Sequence, residues 1–406
     1  METILSANEE LDRQISSGSR DSVRLSGIDY ITAGMSRKVS MGYLTLYKSY
    51  PGLGSSNFGN TGVSFPIQNQ TGLYSDRGTA LSLTIVKPTI SGSPQYLDGY
   101  GLLPVQEIRQ VIGGKVIQRW NPYSIFLRMQ LMDVNVRSVW KNLLGLGIGN
   151  SALTTAIGSN QTTYIPIHSP FDTLPNTILS DRLKQAVSFE VDYASSTGMY
   201  YLNSGSLTVA PSISSASMHF NHTKLNSAEL NALKNRFPDS QVIIGTVYEH
   251  QSQIIPASTT NVSAPLSFNG AVSDILFMCH DTQTQPVANF TGLEVSEYSL
   301  SLNGRDFPEG KYTNPALIQA YSAEYNKNSA DTNVYEISVS MEDFNESVCV
   351  QKSYAYLGNI TSKYLNFTLS VNTATTKRVD ILAVCIVMIV IAPNGDVTMS
   401  PVAVRS

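Results

Sequence analysis

Apolar and polar residues alternate with a period of two along much of this chain. Tyr335, Ile337, Val339 and Met341 are interleaved with Glu336, Ser338 and Ser340, and Leu365, Phe367, Leu369 and Val371 with Asn366, Thr368 and Ser370. Successive side chains of a strand point to opposite faces, so each run predicts a strand with one apolar and one polar face. Tyr298, Leu300 and Leu302 repeat the pattern and stop at Asn303-Gly304, a pair suited to a tight hairpin turn. The first half has its own set: Leu81, Leu83 and Ile85, then Val187, Phe189, Val191 and Tyr193 against Ser188, Glu190 and Asp192. Between them, Val111 to Ile117 reads as a hairpin, because Gly113-Gly114 can take the positive φ angles of a two-residue turn. Ile381 to Ala392 is apolar throughout, too short for the roughly 20 residues of a membrane-crossing helix, and reads as a fully buried strand. Many short strands punctuated by Gly, Pro and Asn predict an all-β protein built of sandwiches.

Helical signals are few. Asn226 with Glu229 makes a capping-box-like start, Leu230, Leu233 and Phe237 share a face, and Pro238 blocks continuation. A second helix is predicted to start with Asn314 as cap and Pro315 at the first position, with Leu317, Tyr321 and Tyr325 on one face. The expected organisation is an N-terminal arm over 1–25, a first strand-rich unit over 26–225, and a second over 226–406 that opens with a connector helix at 226–237. The Gly-, Ser- and Asn-rich stretches 51–62 and 145–162 read as long loops, which on rigid sandwiches serve binding or assembly.

Composition changes this picture in one respect. Of 406 residues, 42% are hydrophobic and only 14% charged, with a net charge of −4, where about 25% charged is usual. That balance supports large cores and excludes disorder for the bulk of the chain. No basic stripe marks a nucleic-acid binder. Cys279, Cys349 and Cys385 are odd in number and widely spaced in apolar runs, so they are expected to be buried and reduced. Residues 1–24 lack the apolar core of a signal peptide, so secretion by that route is not expected. Sequons such as Asn221-His222-Thr223 and Asn359-Ile360-Thr361 arise by chance in a chain rich in these residues.

Candidate chemistry is sparse. Gly145, Gly147 and Gly149 have the wrong spacing and context for a nucleotide loop and read as surface. His219 with His222, and Cys279-His280-Asp281, raise the question of zinc, but neither has the partner pair of a four-ligand site. Adjacent strand residues diverge, so the expectation at the second is a buried thiol beside an exposed imidazole. Glu294 with Glu297, or Glu342 with Asp343, are the carboxylate pairs a sandwich glycosidase would need. They read as residues that keep a sheet face wet. No catalytic, cofactor-binding or metal-binding residue is assigned.

Several segments, in order, resemble the major capsid proteins of nucleocytoplasmic large DNA viruses and their smaller relatives. Gln110 to Arg119 is similar to that family's Ile-Gly-Gly hairpin, and Ile165 to Phe171, continuing through Leu174-Pro175 to Val187 to Val191, to its Pro- and Phe-bearing loop and following strand. Met218-His219-Phe220 and the helix at 226–237 resemble the strand and acidic helix between its two domains. Leu266-Ser267-Phe268-Asn269, followed by Val272 to Phe277, looks like its Phe-Asn strand motif. Leu300 to Phe307 resembles its Leu-Asn-Gly-x-Asp segment, with Val334 to Ser338 and Val379 to Ile391 as the strands that follow. The sequence departs from the family near Leu357 to Lys363, where an Asn-Phe-Ser-Arg-type signature is missing, and at Gly270-Ala271, which replaces His-Pro.

The resemblance implies two consecutive eight-stranded jelly rolls, short helices in the connecting loops, and a non-enzymatic role without cofactors. It further implies a homotrimeric, pseudo-hexagonal capsomer that tiles an icosahedral shell. The partners implied are other copies of the chain, minor capsid or penton proteins and an internal membrane, with the protein made in the host cytoplasm and resident in the virion. Residues 1–25 are expected to order only in the shell, facing that membrane or a minor protein. The competing reading from the sandwiches alone is an adhesin or carbohydrate-binding protein.

Overall fold

The computed structural model describes residues 44–401, apart from 68–72, 75–77, 93, 169, 172–177, 180–182, 184, 203–204, 225–230, 232–240, 283–289, 318–329, 339–354, 359 and 372–373. Two sandwiches follow one another along the chain. In the first, β1 (Leu44–Pro51), β8 (Ser212–Lys224), β3 (Ala80–Val86) and β6 (Gln161–Pro166) form one sheet, extended by the short strands Leu73–Tyr74 and Ile178–Leu179. β2 (Val63–Ile67), β7 (Val187–Tyr193), β4 (Val105–Ile112) and β5 (Lys115–Trp120) form the facing sheet.

The second sandwich repeats this order eight strands later. β9 (Gln241–Ile255), β16 (Lys377–Ile391), β11 (Ala271–Asp281) and β14 (Tyr335–Ser338) form one sheet, with Ala355–Tyr356 added to β11 and β17 (Val397–Pro401) to β16. β10 (Asn261–Pro265), β15 (Lys363–Leu369), β12 (Val295–Leu302) and β13 (Arg305–Tyr312) form the other. The orders 1-8-3-6 and 2-7-4-5, all antiparallel, are those of a jelly roll, and the second half has them again as 9-16-11-14 and 10-15-12-13. Every described ladder joins strands within 44–224 or within 241–401.

The alternation places the core as the sequence predicts. Val187, Phe189, Val191 and Tyr193 of β7 are buried while Ser188, Glu190 and Asp192 are half-exposed. In the second core the Phe277 ring packs edge-on to Tyr298 at 5.4 Å and against Phe367. Both predicted two-residue turns form, with positive φ at Gly113 and Gly114 between β4 and β5, and at Asn303 and Gly304 between β12 and β13. The apolar run at 381–391 lies in β16 and is largely buried on both faces.

Several expectations need correction. Residues 145–162 are not one loop, because they contain the helix α3 (Asn150–Ile157), and two further helices precede it, α1 (Pro122–Met129) and α2 (Val134–Leu144). Their sequence signals were present: Asn121-Pro122 starts α1 with a reciprocal cap, in which the Asn121 side chain takes the Ser124 N–H and the Ser124 hydroxyl takes the Asn121 N–H. Asp133 caps α2 at its start and Gly145, at φ 68°, ends it. Leu266 to Asn269 is irregular connection between β10 and β11 rather than strand. Around Asn314 the predicted start is seen, with the Asn314 side chain accepting from Leu317 N–H at 3.2 Å. Val339, Met341, Tyr321 and Tyr325 lie outside the described residues, as does the 226–237 helix except for a helical Asn231.

At Gly114, φ is 78° and a Cβ would meet no neighbour, so backbone strain alone opposes substitution. Gly114→Val is expected to destabilise the protein by about 1–2 kcal/mol, measured by chemical denaturation.

Candidate functional site

Buried polar side chains join the two sandwiches where they meet. β5 is the edge of its sheet, and β9 pairs only with β16 among the described residues. Gln118, buried on β5, joins the two edges. Its Nε2 donates to the Tyr248 carbonyl at 2.6 Å and its Oε1 accepts from the Tyr248 N–H at 2.9 Å. One side-chain amide thus supplies the donor and acceptor that a neighbouring strand would have offered, and the edge is satisfied without a continuous sheet.

Three residues on, the chain turns at Asn121 into α1, which lies against β9, β11 and β16 of the second sandwich. Its Ile125, Phe126, Leu127 and Met129 are buried, and Tyr123 and Phe126 pack on Phe290 with ring centroids 5.3 and 5.1 Å apart. The apolar core therefore runs through both halves without a break.

Within this apolar contact sits a charged cluster. Asp380 of β16 is fully buried, and its Oδ1 accepts from His250 Nε2 at 2.9 Å and from Arg378 Nη2 at 2.7 Å. Its Oδ2 accepts from His280 Nε2 at 2.8 Å. Burial alone would raise this carboxyl's pKa, but the hydrogen bonds from His250 and His280 and the charge of Arg378 outweigh it and hold the group well below the usual carboxylate range. The network also assigns a tautomer. Asn121 Oδ1 is taken by the α1 cap, so its amide N–H faces His250 Nδ1 at 2.9 Å. That nitrogen must accept, which leaves the proton on Nε2, facing Asp380. Tyr123 of α1 covers the cluster, stacked on the His280 ring at 4.9 Å and lying beneath the Arg378 guanidinium at 4.6 Å.

A second polar contact ties the next turn of chain to the same half. Asp331 accepts from Lys141 Nζ at 3.1 Å and from Gln130 Nε2 at 3.1 Å, and its own N–H donates to Gln130 Oε1 at 2.8 Å. Arg137, buried on α2, donates to the Gln130 carbonyl. At the other end of the junction Lys115 Nζ reaches the Val397 carbonyl at 3.3 Å.

The residues singled out from sequence are distributed otherwise. His280 is not exposed as expected but 2% accessible, because β11 is covered on one face by its own sandwich and on the other by α1 from the first. Cys279 faces the core and burial pushes its thiol up to about 12; the Cys385 thiol is raised for the same reason. Neither is in a disulfide, and Cys349 lies outside the described residues. His219 of β8 meets Ser82 Oγ at 2.8 Å, and burial lowers its pKa; His222 follows on the same strand. Among the described residues no group of three or more His, Cys, Asp or Glu side chains is arranged to hold a metal ion. Glu294 is exposed, Glu297 accepts from the Thr368 hydroxyl at 3.1 Å, and Glu342 and Asp343 lie outside the described residues. Gly145 ends α2 and Gly149 begins α3. Sequence reading missed Gln118, Tyr123, His250, Arg378 and Asp380. The one available signal was the pair Arg378 and Asp380 at the head of an otherwise apolar strand.

Two substitutions test the junction. Gln118→Leu strands the buried Tyr248 N–H and carbonyl, and is expected to cost about 2–4 kcal/mol in urea unfolding. Asp380→Asn leaves Arg378 without its counter-charge and turns an amide N–H toward imidazole N–H donors, for an expected loss of about 3–5 kcal/mol. Because the folded-state pKa of Asp380 is depressed, its contribution is complete above the ordinary aspartate range near 4 and is lost as pH falls below it. Unfolding at pH 7 and pH 3 should therefore show a larger acid-dependent loss for the native chain than for Asp380→Asn.

No protein-family model matches the chain, and no curated protein sequence does. Solved structures do. VP54 of the virus PBCV-1, as fitted into a reconstruction of the virophage Sputnik, is 16% identical with a TM-score of 0.67, over 89% of this chain and 97% of that one. The Faustovirus major capsid protein is 11% identical with a TM-score of 0.63, over 95% and 98%. A quasi-atomic model of the PBCV-1 capsid gives 14% and 0.66, over 89% and 97%. At such identities the likeness is one of fold, and it extends over nearly the whole of both chains. Together with the strand orders above, it establishes that this chain has the double jelly-roll fold of viral major capsid proteins.

Proposed function

We propose that the chain is a major capsid protein, a structural and non-enzymatic component of a virion. The observation that carries this reading is the repeated jelly-roll order in one chain, matched nearly end to end by capsid proteins. The chain divides near residue 225 into two jelly rolls, preceded by an arm over 1–25. Three such chains present six similar sandwiches, which suits a pseudo-hexagonal homotrimer and its tiling into an icosahedral shell. The rigid junction supports this use, since a building block with a hinge between its halves would tile poorly. The low charge of the chain fits a surface much of which is covered by neighbouring copies. On this reading the arm contacts a minor capsid or penton protein or an internal membrane, and the protein is made in the host cytoplasm. The genome is not bound directly.

Light scattering on the purified full chain should give the mass of a trimer, and electron microscopy a particle with a hexagonal base. A monomer at micromolar concentration overturns the proposal. Deleting residues 1–25 should leave the trimer intact and impair shell formation, whereas loss of the trimer would refute that division of roles.

A further inference from the structure

A polar groove lies on the outward face of the second sandwich. β15 runs between β10 and β12, with Val262, Phe367 and Tyr298 turned to the core. The residues that point the other way fall into rows across the three strands: Asn261, Thr368 and Glu297 in one, Ser263, Asn366 and Ser299 in the next, and Pro265, Tyr364 and Ser301 in a third. The first two rows line a groove of about 310 Å³. Ser299, on its floor, is 1% accessible, yet its hydroxyl has no hydrogen-bond partner. Leaving such a group unpaired costs about 1–3 kcal/mol. Beside it, neither the Ser263 nor the Asn366 side chain is engaged by another described residue. The first row, by contrast, is connected: the Thr368 hydroxyl lies 3.0 Å from the Asn261 amide and 3.1 Å from Glu297 Oε1. A hydroxyl has one proton and a carboxylate can only accept it, so Asn261 turns its N–H to Thr368 and keeps its carbonyl for another donor.

The lining restricts what can fill the groove. Both edges of β15 are paired, so the face has no free backbone for an added peptide strand. Glu297 is the one charged residue that lines it, and Asp306, opposite Ser301, adds a second carboxylate one row on. With no Lys or Arg in the lining, anionic ligands are disfavoured. Among the described residues the carboxylate cluster that a divalent cation requires is missing. What suits the site is a neutral molecule that donates and accepts through many small groups. A sugar does both along its edge of hydroxyls, and its C–H face is apolar. Tyr364, 39% exposed and one row from Asn366, stands beside Pro265 where such a face can rest.

We propose that the outward face of β10, β15 and β12 is a binding site for neutral carbohydrate, in which Asn366, Glu297 and the buried Ser299 hydroxyl read sugar hydroxyls and Tyr364 supports the ring. A ligand hydroxyl gives Ser299 the partner it lacks. The inference goes beyond the capsid reading and does not depend on it.

The test applies the full chain, in the form it takes in solution, to immobilised oligosaccharides ending in mannose, galactose, glucose or N-acetylglucosamine, beside sialylated and sulfated ones. Light scattering on the same sample reports its assembly. Binding to at least one neutral series is expected, and weaker binding or none to the acidic ones. Asn366 is half-exposed and Tyr364 exposed, so in Asn366→Ala and Tyr364→Ala near-UV circular dichroism should stay native. Binding by either variant should fall about tenfold, the loss of one good contact. Ser299→Ala removes an unpaired hydroxyl, and should weaken binding by a smaller factor without lowering stability in urea. The inference is overturned if the native chain binds no neutral sugar, if it binds acidic sugars as tightly, or if Asn366→Ala and Tyr364→Ala both bind as the native chain does. A trimer that binds no sugar sinks this inference and leaves the capsid reading standing; a monomer that binds sugar does the reverse.

Discussion

The burial of one carboxylate organises this molecule. Asp380 lies at the head of a strand that is otherwise core, and no water is needed to solvate it because His250, His280 and Arg378 all donate to it. An ionised group in such a place is tolerated only when its partners are held in position. Those partners are held by the other half of the protein: Asn121 fixes the His250 tautomer, and Tyr123 covers His280 and Arg378. The second jelly roll's charged cluster is thus completed by the first jelly roll's helix. Apolar contact between the halves is non-directional and would tolerate sliding, whereas this cluster and the Gln118 amide each accept one relative placement.

The same geometry accounts for the orientation of α2, which keeps Arg137 and Lys141 on its inner side. Once α1 is seated across the junction, the chain leaves it beside Asp331, and the cheapest use of Arg137 and Lys141 is to meet that carboxylate. Trp140 and Leu144 pack inward beside them, and Val136, Val139 and Leu143 are left on the outward side. An interior constraint is in this way transmitted to the surface, and the surface feature cannot be understood from the helix sequence alone.

How much of this was legible beforehand depended on the range of the interaction. Strands whose burial alternates, such as 187–193, and turns that need positive φ, such as Gly113-Gly114 and Asn303-Gly304, are written in neighbouring residues and were read correctly. The helix at 150–157 was missed because its Gly- and Asn-rich surroundings suggested loop, and the helices at 122–144 were passed over although Asn121-Pro122 carried the same signal as Asn314-Pro315. His280 was misplaced for a deeper reason. Its burial comes from α1, more than 150 residues earlier in the chain, and period-two reasoning on β11 describes only the strand's own sheet. Gln118 likewise looked like an ordinary polar strand position, since its partner is a backbone 130 residues away.

The two core cysteines have a consequence for the conditions in which this fold can persist. The thiolate is the species that reacts with disulfides and oxidants, and at Cys279 and Cys385 burial makes it scarce at neutral pH as well as inaccessible. Neither sulfur contributes a bond that a reductant would break or holds an anion that an oxidant would seize. As far as these two positions are concerned, the protein is indifferent to whether its surroundings are reducing or oxidising, and can cross from one to the other unchanged.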